Sequence, residues 1–146
     1  MTLTKVSFLM ELVLRFILEQ WVLTAALFAC IIMLIRNESQ RSGPILSPQQ
    51  AIKIVNREDG VFLDLRDSAE FKGGHVVGAI NIPFTKLAGQ LSQIEKYKDQ
   101  PLVLVCKMGH QSAAGCKRLK SEGFQRVFKM TGGMFEWENL QLPMVK

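Results

Sequence analysis

Apolar positions recur along this chain with more than one rhythm. Over residues 1–20, Phe8, Leu9, Leu12, Val13, Phe16 and Ile17 fall at helical spacing, with Lys5, Glu11, Arg15 and Glu19 between them. This is an amphipathic helix pattern. Residues 21–35 follow without a breaker; they carry no charge, and Thr24 is their polar member. After a polar stretch, 37–44, the rhythm changes to short apolar runs separated by helical patterns. Ser47-Pro48-Gln49-Gln50 predicts a helix start, with Ser47 as cap, Pro48 in the first turn and Gln50 closing a capping box. Ala51, Ile52 and Val55 form its inner stripe, and Asp59-Gly60 ends it. Residues 61–65 predict a buried strand that carries Asp64 and Arg66 to its far end. Asp67 with Glu70 three residues later predicts a capped short helix through Lys72. Gly73-Gly74-His75 breaks that helix, and residues 76–82 predict a strand stopped by Pro83.

Leu87, Leu91 and Ile94 recur at i, i+4 and i+7, predicting another helix. Residues 102–105 predict a buried strand, 112–122 a helix stopped by Gly123, and 127–130 a last strand. Gly132-Gly133 then leads to a turn or helix bearing Phe135 and Trp137. Strands alternating with helices imply an α/β fold with a mostly parallel central sheet and helices on both faces. Ligands of such sheets bind beyond the strand C-termini, where Asp64, Arg66 and Cys106 fall.

Charge adds little. A net +5 from scattered basic residues makes no nucleic-acid stripe, so no nucleic acid is expected as partner. Cys30, Cys106 and Cys116 are odd in number and lack metal-ligand spacing, which argues against a disulfide framework and a metal site and for a reducing compartment.

Candidate chemistry centres on Cys106. It stands at the end of a strand, and five residues, Gly109 among them, lie between it and Ser112. A loop that short curls around the cysteine, and its N–H groups converge with the positive end of the next helix. Such a point favours negative charge and therefore a thiolate nucleophile. The alternative, a small buried apolar residue, is the common fate of free cysteine. Cys116 is a resolving thiol if it reaches the loop, but its spacing with Ala113 and Leu119 favours a helix core stripe; His75 after two glycines is a catalytic acid or base in one reading and, in the favoured one, a structural hydrogen-bonding residue.

The segment Cys106-Lys107-Met108-Gly109-His110-Gln111-Ser112 resembles the active-site loop of rhodanese-like domains. Two flanking motifs extend the likeness. Asp64-Leu65-Arg66, Glu70-Phe71, Gly74-His75-Val76 and Gly78-Ala79-Ile80-Asn81-Ile82-Pro83 are similar to that family's N-terminal signature, and Gly132-Gly133-Met134-Phe135-Glu136-Trp137, with Leu142-Pro143, to its C-terminal one. The resemblance implies a rhodanese-like α/β domain over 45–146, acting as a sulfurtransferase with Cys106 as catalytic nucleophile. It takes a sulfane sulfur as a persulfide and passes it to a thiophilic acceptor. Lys107, Met108, Gly109, His110, Gln111 and Ser112 make the active-site loop, and Asp64 and Arg66 support it or pair with each other. Donor and acceptor would be small molecules or protein-borne; no cofactor and no metal is expected. Related phosphatases have a longer loop ending in arginine, so the six residues 106–111 disfavour phosphate esters. Many single-domain rhodaneses carry arginine where this chain has Gln111. That departure leaves a second function open, a catalytically weak rhodanese-fold interaction module at the membrane.

The N-terminal residues 1–36 are expected to be an anchor, with one transmembrane helix over about 13–35, and 37–44 a linker. At ~1.5 Å per residue, the uncharged run spans about 22 Å, short of a ~30 Å hydrocarbon core unless residues 16–18 join it. Glu11, Glu19 and the sequence Arg36-Asn37-Glu38 speak against a cleaved signal peptide. Lys5 and Arg15 balance Arg36 and Arg41, so flanking charge does not orient the helix. The unpaired cysteine chemistry places the domain in the cytoplasm, on a plasma (inner) membrane, with the lipid bilayer and a membrane protein as partners.

Overall fold

The computed structural model describes residues 10–13, 15, 16 and 19–146, with backbone alone at 37–41. The chain divides into two units between Glu38 and Ser39. In the first, helix α1 (Trp21–Arg41) carries the uncharged run, and its large apolar side chains are exposed. Among the described residues, no helix is long and apolar enough to cross a membrane. Helix α1 begins at Trp21; of the expected span, residues 13, 15, 16 and 19 are also helical, and residues 14, 17 and 18 lie outside the described residues. Residues 37–41, expected as linker, continue α1.

The second unit is an α/β domain. Strands β1 (Ile45–Leu46), β2 (Val61–Asp64), β4 (Ile80–Asn81), β5 (Leu102–Val105) and β6 (Val127–Met130) form one sheet in the order β1-β6-β5-β2-β4, every pair parallel. Alternation along β5 supplies both faces of the core. Leu102 and Leu104 join Leu63, Cys116, Leu119 and Val127 on one side, while Val103 and Val105 join Ala51, Phe62, Met134 and Trp137 on the other. Each large aliphatic or Phe side chain among them stabilises the fold by roughly 1.5–3 kcal/mol when fully buried, before chain entropy is counted. Helix α4 (His110–Ser121) covers the first face; α2 (Pro48–Arg57) and α5 (Gly133–Asn139) supply Ala51, Met134 and Trp137 to the second.

The capping box forms as expected: Ser47 Oγ accepts from Gln50 N–H at 3.3 Å, and Gln50 Oε1 from Ser47 N–H at 2.9 Å. Two local expectations give way. Residues 84–97 form three 3-10 segments, Phe84–Gly89, Leu91–Gln93 and Glu95–Tyr97, which still bury Leu87 and Ile94. The strand expected over 76–82 is broken where Gly78 takes φ +74°. Its ends separate, β3 (His75–Val76) pairing antiparallel with β7 (Met144–Val145) while β4 joins the main sheet.

Candidate active site

Register brings the site together. Asp64 lies opposite Val105, and Leu65 N–H donates to the Val105 carbonyl at 2.8 Å, so the chain leaving β2 runs beside the loop leaving β5. Cys106 is the first residue past β5, and α4 begins at His110 rather than Ser112. Gly109 occupies the N-cap at φ +92°, a left-handed conformation that glycine adopts without penalty. Its N–H donates to Cys106 Sγ at 3.1 Å.

What holds the loop in this curl is α5. The Met134 N–H donates to the Cys106 carbonyl at 2.9 Å and the Phe135 N–H to the Lys107 carbonyl at 3.1 Å. In a trans peptide N–H and C=O point in opposite directions, so both bonds turn the N–H groups of Lys107 and Met108 away from α5. The carbonyls are spent on a helix N-terminus, and the N–H that reaches the sulfur is that of Gly109. Gly132-Gly133, expected from sequence to lead into a turn or helix, is the part that makes this approach feasible.

Cys106 lies in the wall of a cavity of about 290 Å³ with Leu65, Arg66, Phe84 and Met108 among its neighbours. Lys107, His110 and Gln111 also line it, as do Asp67, Glu70 and Thr85. Cys106 itself is 2 % exposed, so approach to its sulfur is through this opening. Ser112 is buried, off the lining, and its Oγ has no hydrogen-bond partner among the described residues.

Asp64 and Arg66 pair with each other and also brace the rim. Arg66 Nε lies 3.1 Å from both Asp64 carboxylate oxygens and Nη2 2.7 Å from Oδ2, while Nη2 donates to the Gly74 carbonyl at 2.8 Å. Asp64 also accepts the Arg66 backbone N–H at 2.9 Å. Both are buried, and Arg66 forms part of the cavity wall. Lys107 Nζ bonds Glu70 Oε1 at 2.8 Å across the mouth, and that carboxylate holds the lysine pKa above its ordinary value. Glu70 is therefore engaged outward, and Asp67 makes no side-chain cap bond, so the expected capping box on α3 (Ser68–Gly73) is absent.

The other two candidates behave as expected. His75 Nδ1 donates to the Phe71 carbonyl at 2.9 Å, and its ring stacks on Phe71 at 3.7 Å. Cys116 is fully buried, and desolvation pushes its thiol up to about 12, keeping it protonated. Asp67 and Glu70 were missed as site residues. Their position just past a strand that ends at the site was the available signal.

The rhodanese-like domain family matches residues 47–140. This chain belongs to that family. The Escherichia coli K12 protein YibN is 33% identical over 103 residues, 70% of this chain and 72% of that one. Thiosulfate sulfurtransferase GlpE of Pseudoalteromonas translucida is 32% identical, covering 64% of this chain and 87% of the relative. A rhodanese-related protein from Thermoplasma volcanium superposes with TM-score 0.63 at 24% identity, over 70% of this chain and 97% of that one. An NAD-dependent persulfide reductase from A. fulgidus matches with TM-score 0.55 at 28% identity, over 75% of this chain but 18% of its own.

Proposed function

We propose that this rhodanese-like chain is a sulfurtransferase that carries a sulfane sulfur as a persulfide on Cys106. The observation that carries the proposal is the Gly109 N–H held 3.1 Å from Cys106 Sγ in the wall of a cavity. The thiolate attacks the outer sulfur of a donor, forming a new S–S bond while the donor's own S–S bond breaks. With thiosulfate the leaving group is sulfite. An acceptor nucleophile then attacks the terminal sulfur and the Cys106 thiolate leaves. Charge stays on sulfur throughout, where an N–H donor and the N-terminus of the 12-residue α4 stabilise it. Lys107, Met108, His110 and Gln111 shape the opening. The relatives named as thiosulfate sulfurtransferases support the same chemistry.

The reading extends to a membrane location, single-pass, with the domain on the cytoplasmic side. It is supported by the uncharged run of α1, whose Trp21, Leu23, Phe28, Met33 and Leu34 are each more than 60% exposed. A span would also draw on residues before Trp21. The cysteines Cys106 and Cys116 are free thiols, which suits a reducing compartment. Turnover of a sulfane donor with cyanide as acceptor tests the chemistry: activity is expected in the native chain and absent in Cys106→Ser, and equal rates in the two overturn it.

A further inference from the structure

The cavity around Cys106 has an unusual charge balance for a site receiving an oxyanion. Its lining cations are Arg66 and Lys107, and each faces a carboxylate: Asp64 behind the first at 2.7 Å, Glu70 beside the second at 2.8 Å. Asp67 adds a third carboxylate to the same surroundings, and the uncharged amide of Gln111 lines the cavity from the first turn of α4. Two cations thus meet three carboxylates. An approaching anion sees ion pairs, whose attraction falls off faster with distance than that of a lone cation, together with the unbalanced charge of Asp67. Beside the neutral polar Thr85, the lining carries the apolar side chains of Leu65, Phe84 and Met108, and Met108 is 58 % exposed. At about 290 Å³, close to the lower end of the ~300–1,000 Å³ usual for small-molecule sites, the cavity has room for an organic group beside one sulfur.

Resting on the sulfurtransferase reading, we propose that Glu70 sets donor specificity: by neutralising Lys107 it disfavours dianionic donors, and the site takes singly charged donors that carry an apolar group. Glu70 acts through Lys107 and has no part in the bond exchange. The 2.8 Å bond seats the lysine ammonium on the Glu70 carboxylate. An organic thiosulfonate satisfies the chemistry: the Cys106 thiolate attacks its outer sulfur, the donor's S–S bond breaks, and a sulfinate leaves with the electron pair. Thiosulfate undergoes the same exchange with sulfite leaving, so the two donors differ at the site chiefly in charge and in the organic group.

The test compares thiosulfate with benzenethiosulfonate in the native chain and in Glu70→Gln, which releases Lys107. Electrostatic attraction scales with donor charge, so the logarithm of the gain for the dianion should be about twice that for the monoanion. We expect kcat/KM to rise about fivefold to tenfold for thiosulfate and about twofold to threefold for benzenethiosulfonate, through KM rather than kcat. Lys107→Gln in the same background should abolish both gains, and raising salt should shrink them. In the native chain, benzenethiosulfonate should show a lower KM than methanethiosulfonate, which has the same charge and less apolar surface. Equal gains for the two charges, or no gain while both donors still load Cys106, would overturn the specificity role of Glu70 and leave sulfur transfer standing. Failure of every donor to load Cys106 would overturn the sulfurtransferase reading itself, and this inference with it.

Discussion

A Cβ placed on Gly133 would fall 2.1 Å from the Cys106 carbonyl oxygen. The N-terminus of α5 therefore reaches the nucleophile's backbone only because this position has no side chain, and Gly133 also holds φ +59°. Gly133→Ala is expected to separate α5 from the loop, releasing the Cys106 and Lys107 carbonyls. The backbone strain alone costs about 1–3 kcal/mol. Thermal unfolding should show the loss of stability, and sulfur transfer should fall further than stability alone explains. An unchanged transfer rate in a folded variant would show that α5 does not set the loop.

Asp64 and Arg66 are 1% and 7% exposed, so removing either partner strands the other. Asp64→Ala should destabilise the domain by about 3–5 kcal/mol, because a buried guanidinium is left with only the Gly74 carbonyl. Urea unfolding reads this directly. The double variant Asp64→Leu, Arg66→Met should lose less than Asp64→Ala alone, since it buries no uncompensated charge.

Cys116 gives a pH signature. Its folded-state pKa, near 12, lies above the ordinary value of 9.0, so the fold favours the protonated thiol. The unfolded chain loses this proton first as pH rises. The associated stability is therefore fully present below about pH 9 and is lost progressively toward pH 12. Urea midpoints taken from about pH 8 to about pH 10.5 should fall, and fall less in Cys116→Ala. Alkylation of the folded protein near neutral pH should mark Cys106 and spare Cys116.

The membrane reading predicts fractionation. The full chain should sediment with membranes, resist extraction by high salt and come off with detergent. Leu27→Asp with Ile31→Asp, both on the uncharged run of α1, should move it to the soluble fraction. Salt extraction of the unaltered chain would contradict an apolar anchor.

How much of this was legible beforehand depended on how local each cause was. The strand at 102–105 is set by four consecutive apolar residues, and the cap at Ser47 by residues three apart; both appear as read. Cys106 at a strand end followed directly, as did Asp64 and Arg66 beside it. The segment 84–97 kept its buried Leu87 and Ile94 but not its helix, because i, i+4 spacing records which side chains are inside and not which turn carries them. Glu70 fitted a capping box by spacing. Its partner is Lys107, 37 residues away, which no local pattern records. The role of Gly133 was hidden for the same reason: the contact it permits joins the ends of β5 and β6 in space.

The central claim is tested most directly by the mass of the intact protein. The folded full chain in detergent is incubated with thiosulfate or benzenethiosulfonate, freed of excess donor and weighed. The account predicts a gain of one sulfur atom, located on Cys106, removed by cyanide and absent in Cys106→Ser. No gain from either donor in a folded protein would contradict it, and would point instead to a rhodanese fold used for interaction at the membrane.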